Sequence, residues 1–425
     1  MNANRNRYLI LLAALALATP AAAQLQVEAR EHLRALLAEA AANNPDIHAA
    51  RRELDAARNR VSPAEALDDP MLEAGVVNLP AQSLSFSRED MTMKMIGLTQ
   101  RLPYPGKRGL RREVAEREAA AAEHNVRETG NRVRRDVKAA YFDLALVDES
   151  QRLAQKNLLV LETLSSIAES RYAVGQTSQA DVLKAQTQRA RMQEELIKLG
   201  RERPMFEAEL NRALGRAASP AAITPAGLRL QEAALDLVEL RAAARTSRPQ
   251  LLAQQSTIQR NLKALELARK DYYPDFDVRF SYGQRDSFEG MKREDMLTLT
   301  VAINLPVWRG SKREPRVAEA EAMRQQASSM YEARVNETDA MLRQQVAAAE
   351  QALRAAHLYE TALLPQARLA ADASLAAYRV GRVDFFTLQD SQMTVFSAEV
   401  GYAASLASRS KALAEIELLT GTELF

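Results

Sequence analysis

The sequence predicts a mainly α-helical chain with a small β part, and three observations lead there. Ala, Leu, Glu, Arg and Gln dominate while aromatics make up only 5% of the 425 residues. That balance favours long helices and coiled coils over a compact globule. Two stretches, 107–173 and 311–377, carry apolar residues at coiled-coil spacing: Val133, Val137, Ala140, Leu144 and Val147 in one, Leu342, Val346, Ala349, Leu353 and Ala356 in the other. The chain also repeats itself. Tyr172, Val174, Gly175, Gln186, Glu209 and Gly215 recur as Tyr378, Val380, Gly381, Gln392, Glu415 and Gly421, a constant offset (378 − 172 = 206; 421 − 215 = 206). Such a period far exceeds the roughly 20–50 residues of stacked-repeat families, so it marks one structural unit duplicated.

The first residues read as a secretory signal. Arg5 and Arg7 precede an apolar run, Tyr8–Ala18, and Ala21-Ala22-Ala23 before Gln24 fits a cleavage site, so 1–23 is expected to be removed. An anchor helix is the competing reading, but the run is short where about 20 residues are needed to span. The formal charge of +2 falls to 0 without those two arginines. No basic surface therefore argues for nucleic acid.

Each copy is then built from the same elements, 24–215 for the first and 233–425 for the second, with a linker at 216–232 that contains Pro220 and Pro225. Val27–Val61 reads as helical, broken at Asn44-Pro45; Leu235–Ala244 and Pro249–Lys270 are the later counterparts. Strand-like runs follow at about 71–102 and 276–305. Phe276, Val278, Phe280 and Tyr282 alternate with Asp277, Arg279, Ser281 and Gly283, and Leu297, Leu299, Val301, Ile303 and Leu305 alternate with Thr298, Thr300, Ala302 and Asn304, on either side of a polar loop, Gln284–Asp295. The first copy is weaker: Leu72, Ala74 and Val76 alternate, but Lys94 and Gln100 blur the face of 92–102. These lengths suit a transmembrane barrel and equally a soluble hairpin with one buried face.

The long helices, each of 67 residues (107–173 and 311–377), span about 100 Å at roughly 1.5 Å per residue. Gly130 and Pro365 are expected to interrupt them. Both end at Tyr-x-Val-Gly, where Gly175 and Gly381 supply the left-handed turn that closes a helix. Thr177 or Ser178, and Asp384, are placed to cap the returning helices, Gln179–Leu214 and Phe385–Leu419. Each copy thus holds a helical hairpin with its tip at Gly175 or Gly381.

Catalytic chemistry is missing. The chain has no cysteine, which excludes disulfides, thiolate zinc sites, thiol nucleophiles and a lipidated cysteine. His32, His48, His124 and His357 share no helical metal-site spacing. There is no GxSxG, P-loop or HExxH. Acidic residues interleave with Arg and Lys as on solvated helix faces. No cofactor and no enzyme activity are expected. Met91, Met93 and Met95 alternate on a strand; packing against lipid or a core is preferred to a soft-metal relay.

Four strands cannot close a barrel, whose smallest bacterial examples use about eight, and lipid forbids an open edge. Membrane strands would therefore need several chains to share one barrel; three chains give twelve strands around a hollow conduit.

At this point the chain resembles the TolC-like outer-membrane efflux protein family over essentially its whole mature length. The resemblance is carried by Tyr172-Ala173-Val174-Gly175-Gln176 and Tyr378-Arg379-Val380-Gly381-Arg382, by Asp181-Val182-Leu183 and Asp384-Phe385-Phe386, by Leu364-Pro365-Gln366-Ala367, and by Leu419-Thr420-Gly421. It implies a homotrimer with a twelve-stranded barrel in outer-membrane lipid and a periplasmic helical barrel. It further implies partnership with a periplasmic adaptor (membrane fusion) protein and an inner-membrane transporter. The run Gln100-Arg101-Leu102-Pro103-Tyr104-Pro105-Gly106-Lys107-Arg108-Gly109 resembles the heavy-metal (CzcC/CusC-like) branch, which implies a resistance–nodulation–division transporter and metal-cation export. A duct for drugs or secreted proteins, and a soluble periplasmic adaptor without a pore, are the alternatives.

Carried over residue by residue, the resemblance implies that Arg171, Tyr172, Val174, Gly175, Gln176, Thr177 and Ser178 dock the adaptor, with Tyr378, Arg379, Val380, Gly381, Arg382, Val383 and Asp384 in the second copy. Tyr172 and Tyr378 fit packing as well as docking. Arg171, Arg379 or Arg382 paired with Asp181, Asp372 or Asp384 is the expected latch of a closed state. An exposed pair gives only about 0–1 kcal/mol, so several would be needed. Asp372 is a candidate acidic ring for cations, or a solvent-facing carboxylate outside the tube.

Overall fold

The computed structural model describes residues 21–216, 222–231 and 233–425, with side chains from residue 31 onward. Residues 1–20 of the signal segment expected at 1–23, and linker residues 217–221 and 232, lie outside the described residues. The elements run α1 (Ala21–Asn43), α2 (Pro45–Glu65), β1 (Met71–Val77), β2 (Met93–Leu102), α3 (Lys107–Ala173), α4 (Gln179–Leu214), α5 (Leu237–Ser247), α6 (Pro249–Lys270), β3 (Phe276–Gln284), β4 (Met296–Ile303), α7 (Glu314–Leu358), α8 (Leu364–Arg379) and α9 (Phe385–Thr420).

Two compact units emerge. Among the described residues, the first holds 21–49, Arg127–Arg248 and Asn336–Phe425; the second holds Ala50–Val126 and Pro249–Val335. Each unit therefore draws on both copies of the repeat.

The first unit is helical. Val133, Val137, Ala140 and Leu144 of α3 pack with Leu36 and Ala40 of α1, Ile47 of α2, and Leu210 and Leu214 of α4. The second copy builds the matching core from Leu342, Val346 and Ala349 of α7, Leu240 and Ala244 of α5, and Leu413, Ile416 and Leu419 of α9. The two coiled-coil seams thus occupy equivalent places. Helix ends are matched as well. Gly215 and Gly421 have φ near +75° (75° and 73°), and a Cβ there would lie 2.6 Å from the carbonyl oxygen of Asn43 or of Ser247. Only glycine permits that turn against that backbone.

Two arginines at the same repeat position (409 − 203 = 206) hold the connecting segment. Arg203 Nη2 donates to the Ile223 carbonyl at 3.1 Å while its Nε meets Asp148 at 2.8 Å. Arg409, 1% exposed, donates to the carbonyls of Gln231 and Ala233 at 3.2 and 3.0 Å. Burial pulls the Arg409 guanidinium down from its ordinary value, against the pull of Glu350.

The second unit carries one antiparallel sheet in the order β1-β2-β3-β4. The pairings Leu72↔Leu98, Leu98↔Phe280 and Phe280↔Leu299 place these residues on one face with Ile96, Tyr282, Leu297, Val301 and Ile303. The opposite face carries Glu73, Thr99, Arg279, Ser281, Thr298 and Thr300. Below the strands, Lys107 at the start of α3 is buried against Asp275 at 2.9 Å, and the Tyr104 amide donates to the same carboxylate at 2.8 Å. This pins the strand-to-helix junction.

One expectation needs correction and two are sharpened. Gly130 does not interrupt α3, which runs unbroken through it. A glycine inside a helix costs about 1 kcal/mol, too little to break one anchored by its seam. The second long helix is interrupted next to Pro365, as expected. It opens with a π-turn at Arg309–Arg313 and widens again at Tyr359–Leu363, where the Leu364 amide reaches back to the Tyr359 carbonyl. Pro365 has no amide to donate, and the helix accommodates that loss by a wider turn just before it. Finally, Met93 and Met95 lie on the polar face, opposite the apolar band. Met93 packs over Gly283, and the Arg279 guanidinium lies 4.0 Å from the Met95 sulfur.

Candidate functional site

The hairpin tips are built by one local design used twice. Gly175 and Gly381 take φ of 73° and 76°. The amides of Gly175 and Gln176 donate to the carbonyls of Tyr172 and Arg171 at 2.9 and 2.8 Å. Those of Gly381 and Arg382 donate to Tyr378 and Ala377 at 3.1 and 2.9 Å. These paired bonds are a Schellman closure, which needs a left-handed residue at the glycine.

The returning helices are capped differently. Ser178 accepts from the Asp181 amide at 3.3 Å, and Asp181 accepts from the Ser178 amide at 3.4 Å and from the Thr177 hydroxyl at 2.6 Å, a full capping box. Asp384 accepts from the Thr387 amide and hydroxyl at 2.9 and 2.6 Å. The Thr387 hydroxyl, then its amide, hold the Asp384 carboxyl below its usual range.

The two hairpins meet in a small core of Leu164, Ala168, Ala185, Tyr378, Phe385 and Leu388. Here the repeated tyrosines part company. Tyr378 is 2% exposed and stands edge-on to Phe385 at 5.8 Å, whereas Tyr172 is 47% exposed. The difference lies across the interface. Arg171 of the first hairpin lays its guanidinium 4.8 Å from the Tyr378 ring centroid and donates to the Tyr378 carbonyl. The residue at the same place in the second copy is Ala377, which has nothing to offer Tyr172.

The remaining tip residues face solvent: Val174, Gln176, Ser178, Arg379, Val380 and Arg382 are exposed, while Thr177 and Val383 are half-buried. The first tip presents neutral groups and the second two guanidiniums. Within one chain the arginine–aspartate latch is not formed. Arg171 is spent on Tyr378, and Asp181 and Asp384 are spent on caps. Asp372 is exposed on α8 and borders a hollow with Lys156, Arg368 and Glu399.

Sequence reasoning missed the clamp beside that hollow. Glu399 of α9 takes Lys156 of α3 at 3.0 Å and Arg368 of α8 at 2.9 Å with its side chain only 10% exposed. Burial raises its pKa, but the bonds from Arg368 and Lys156 outweigh that and hold the carboxyl below its ordinary value. It looks in sequence like any other helical Glu; only its two distant cations mark it.

The sheet is the other exposed feature. Leu72, Ile96, Leu98, Phe280, Leu297, Leu299, Val301 and Ile303 are all exposed, an unusually large apolar surface. The polar residues that blur this face sit toward its ends: Lys94 pairs with Asp286 at 3.2 Å, and Gln100 donates to the Asp68 carbonyl at 2.8 Å. Among the described residues no helix is long and apolar enough to cross a membrane.

Long helical hairpins, paired tips and a four-stranded sheet with one apolar exposed face make up an architecture shared with outer-membrane efflux proteins. The sequence pattern of the outer membrane efflux protein family matches residues 36–216 and 240–422, and the chain belongs to that family. Its members are transport ducts rather than enzymes. The chain is 24% identical over 390 residues to the cobalt-zinc-cadmium resistance protein CzcC of Cupriavidus metallidurans, covering 92% of this chain and 90% of that one. Among solved structures it is similar to the outer membrane protein VceC of Vibrio cholerae (TM-score 0.78, 18% identity, 92% and 97% of the two chains). It is similar also to CusC (0.76, 16%, 92% of each) and to the open state of the MtrE channel of Neisseria gonorrhoeae (0.75, 18%, 92% and 89%).

Proposed function

We propose that this outer-membrane efflux channel is the exit duct of a tripartite pump that exports heavy-metal cations. The observation that carries the reading is the sheet. It offers an apolar face and, at β1 and β4, two edges, and lipid tolerates no unpaired edge. Three copies supply twelve strands, enough to close, with the apolar face toward lipid and the Glu73–Arg279 face toward a water-filled lumen. Trp308, the single tryptophan, is exposed beside the end of β4, the level at which aromatic residues favour the membrane–water interface.

The helical hairpins extend into the periplasm, and their tips meet a periplasmic adaptor. Exposed Tyr172, Val174 and Val380 give the apolar contact; Gln176, Thr177, Ser178, Val383, Arg379 and Arg382, on the turns set by Gly175 and Gly381, give register. The energy comes from an inner-membrane resistance–nodulation–division transporter, because nothing in the duct is bonded or cleaved. The Arg171–Tyr378 contact holds the tips together in a closed state. The arginine–aspartate latch links Arg379 or Arg382 to Asp372 of a neighbouring subunit. The resemblance to CzcC supports metal cations as cargo.

Deleting the gene and measuring growth on zinc, cobalt, cadmium, copper and silver tests the cargo. Lost tolerance to one or more of these metals, restored by the wild-type gene, supports it; unchanged tolerance with new sensitivity to drugs, or lost protein secretion, assigns another cargo.

A further inference from the structure

The segment that joins β1 to β2 and the one that runs from β3 into the first residue of β4 carry the same four residues, Arg88-Glu89-Asp90-Met91 and Arg293-Glu294-Asp295-Met296, offset by 293 − 88 = 205. The two arginines are used differently. The Arg293 side chain is 6% exposed. Its Nε donates to the Asp286 carbonyl at 2.5 Å. Its other nitrogens donate to the carbonyls of Glu89 at 2.9 Å, of Phe86 at 3.4 Å and of Asp90, and the Asp90 carboxylate lies 3.5 Å away. The second motif is thus seated on the backbone of the first. Arg88 is exposed and engages nothing among the described residues.

Sheet order explains why. Arg293 reaches from the β3–β4 hairpin to the hairpin on its β3 side, which is β1–β2. The β1–β2 hairpin has no neighbour on its own outer side, because β1 is an edge. Every pairing in the sheet is antiparallel, so β1 can be met in the same sense by β4 of another copy. The offset of 205 then converts the groups that receive Arg293, Glu89 and Asp90, into Glu294 and Asp295.

We propose that Arg88 crosses the subunit boundary and seats on a second copy, donating to the carbonyls of its Glu294 and Asp295 beside the Asp295 carboxylate. The inference rests on the shared-barrel reading above and names the lock that joins adjacent subunits at the loop end. Asp295 is already fixed for this: it accepts the Arg285 amide at 3.1 Å and the Tyr282 hydroxyl at 2.5 Å. A guanidinium arriving on fixed acceptors loses little freedom per bond, which favours a multidentate seat.

The chain has no cysteine, so an engineered pair is unambiguous. Full-length protein with Arg88→Cys and Asp295→Cys is treated with a short bis-maleimide and run on a denaturing gel. The Arg293→Cys, Asp90→Cys pair is the within-chain control. Covalent dimers and trimers from the first pair, and only monomer from the control, support the lock. No oligomer from the first pair, in a sample whose native mass is trimeric, overturns it while leaving the shared barrel standing. A monomeric native mass overturns both.

Discussion

Lys138 and Glu417 form an ion pair of 2.6 Å that is almost wholly buried, joining α3 of the first copy to α9 of the second. The Lys138 ammonium also donates to the Phe425 carbonyl at 3.0 Å and lies 3.7 Å from that ring's centroid. Glu417 meanwhile accepts the amides of Leu424 and Phe425 at 2.8 and 3.1 Å. Burial pushes the Lys138 ammonium below its ordinary value, and Glu417 opposes that shift. Removing one partner strands the other charge, so Lys138→Ala is expected to cost about 3–5 kcal/mol. Thermal unfolding of the purified protein measures it; an unchanged midpoint would falsify the pair's structural weight.

Gly215→Ala and Gly421→Ala test the helix ends. Each forces a Cβ into left-handed backbone, roughly 1–2 kcal/mol, and into a neighbouring carbonyl. Gly130→Ala is the opposite case. It has open space around it in α3 and should stabilise by up to about 1 kcal/mol. If all three substitutions shift the midpoint alike, Gly215 and Gly421 are not packed against the Asn43 and Ser247 backbone.

Glu399 predicts an acid-labile clamp. Its folded pKa is depressed, so its contribution is fully present above the unfolded carboxylate value of about 4.3 and is lost as pH falls through the folded value. The wild type should therefore outlast Glu399→Gln in unfolding at pH 7, and the gap should narrow below pH of about 4. A gap that holds steady with pH would point to packing instead of charge.

At the tip, Arg171→Ala removes the contact over Tyr378 and its bond to the carbonyl, about 1–2 kcal/mol per chain. Planar-bilayer recordings should show a several-fold rise in conductance, and Arg171→Lys an intermediate one. Equal conductance of all three proteins would leave the tips held by other means.

Asp372→Ala separates a lumenal carboxylate from one facing outward. Reduced preference for cations is the expected result in bilayers with asymmetric salt; unchanged selectivity places Asp372 outside the conduction path.

Much of this was legible in the residues. The seam at Val133, Val137 and Ala140, the tip glycines and the caps at Ser178 and Asp384 are local features, and local features obey propensity and spacing. The apolar strand face was legible too, since Leu297 to Ile303 alternate without exception. Other features escaped because they depend on what lies across an interface. The Tyr172 and Tyr378 motifs look alike, but one faces Arg171. Lys138 and Glu417 are separated by 279 positions, and nothing near either announces a buried charge. For Met93 and Met95 composition leaves lipid and core packing open, and register, set by the pairing of Ile96 with Tyr282, decides the face. The widening before Pro365 was also hidden, because a proline forecasts a defect and not its shape.

The unlike fates of Tyr172 and Tyr378 carry a consequence for assembly. If three chains share one duct whose tips meet an adaptor, as proposed, the ring of tips presents two alternating kinds of knob, one bearing a phenol among neutral groups and one bearing guanidiniums. A collar of identical subunits that grips every knob must therefore bind in two poses, and half of its contacts will weaken with salt while the other half will not.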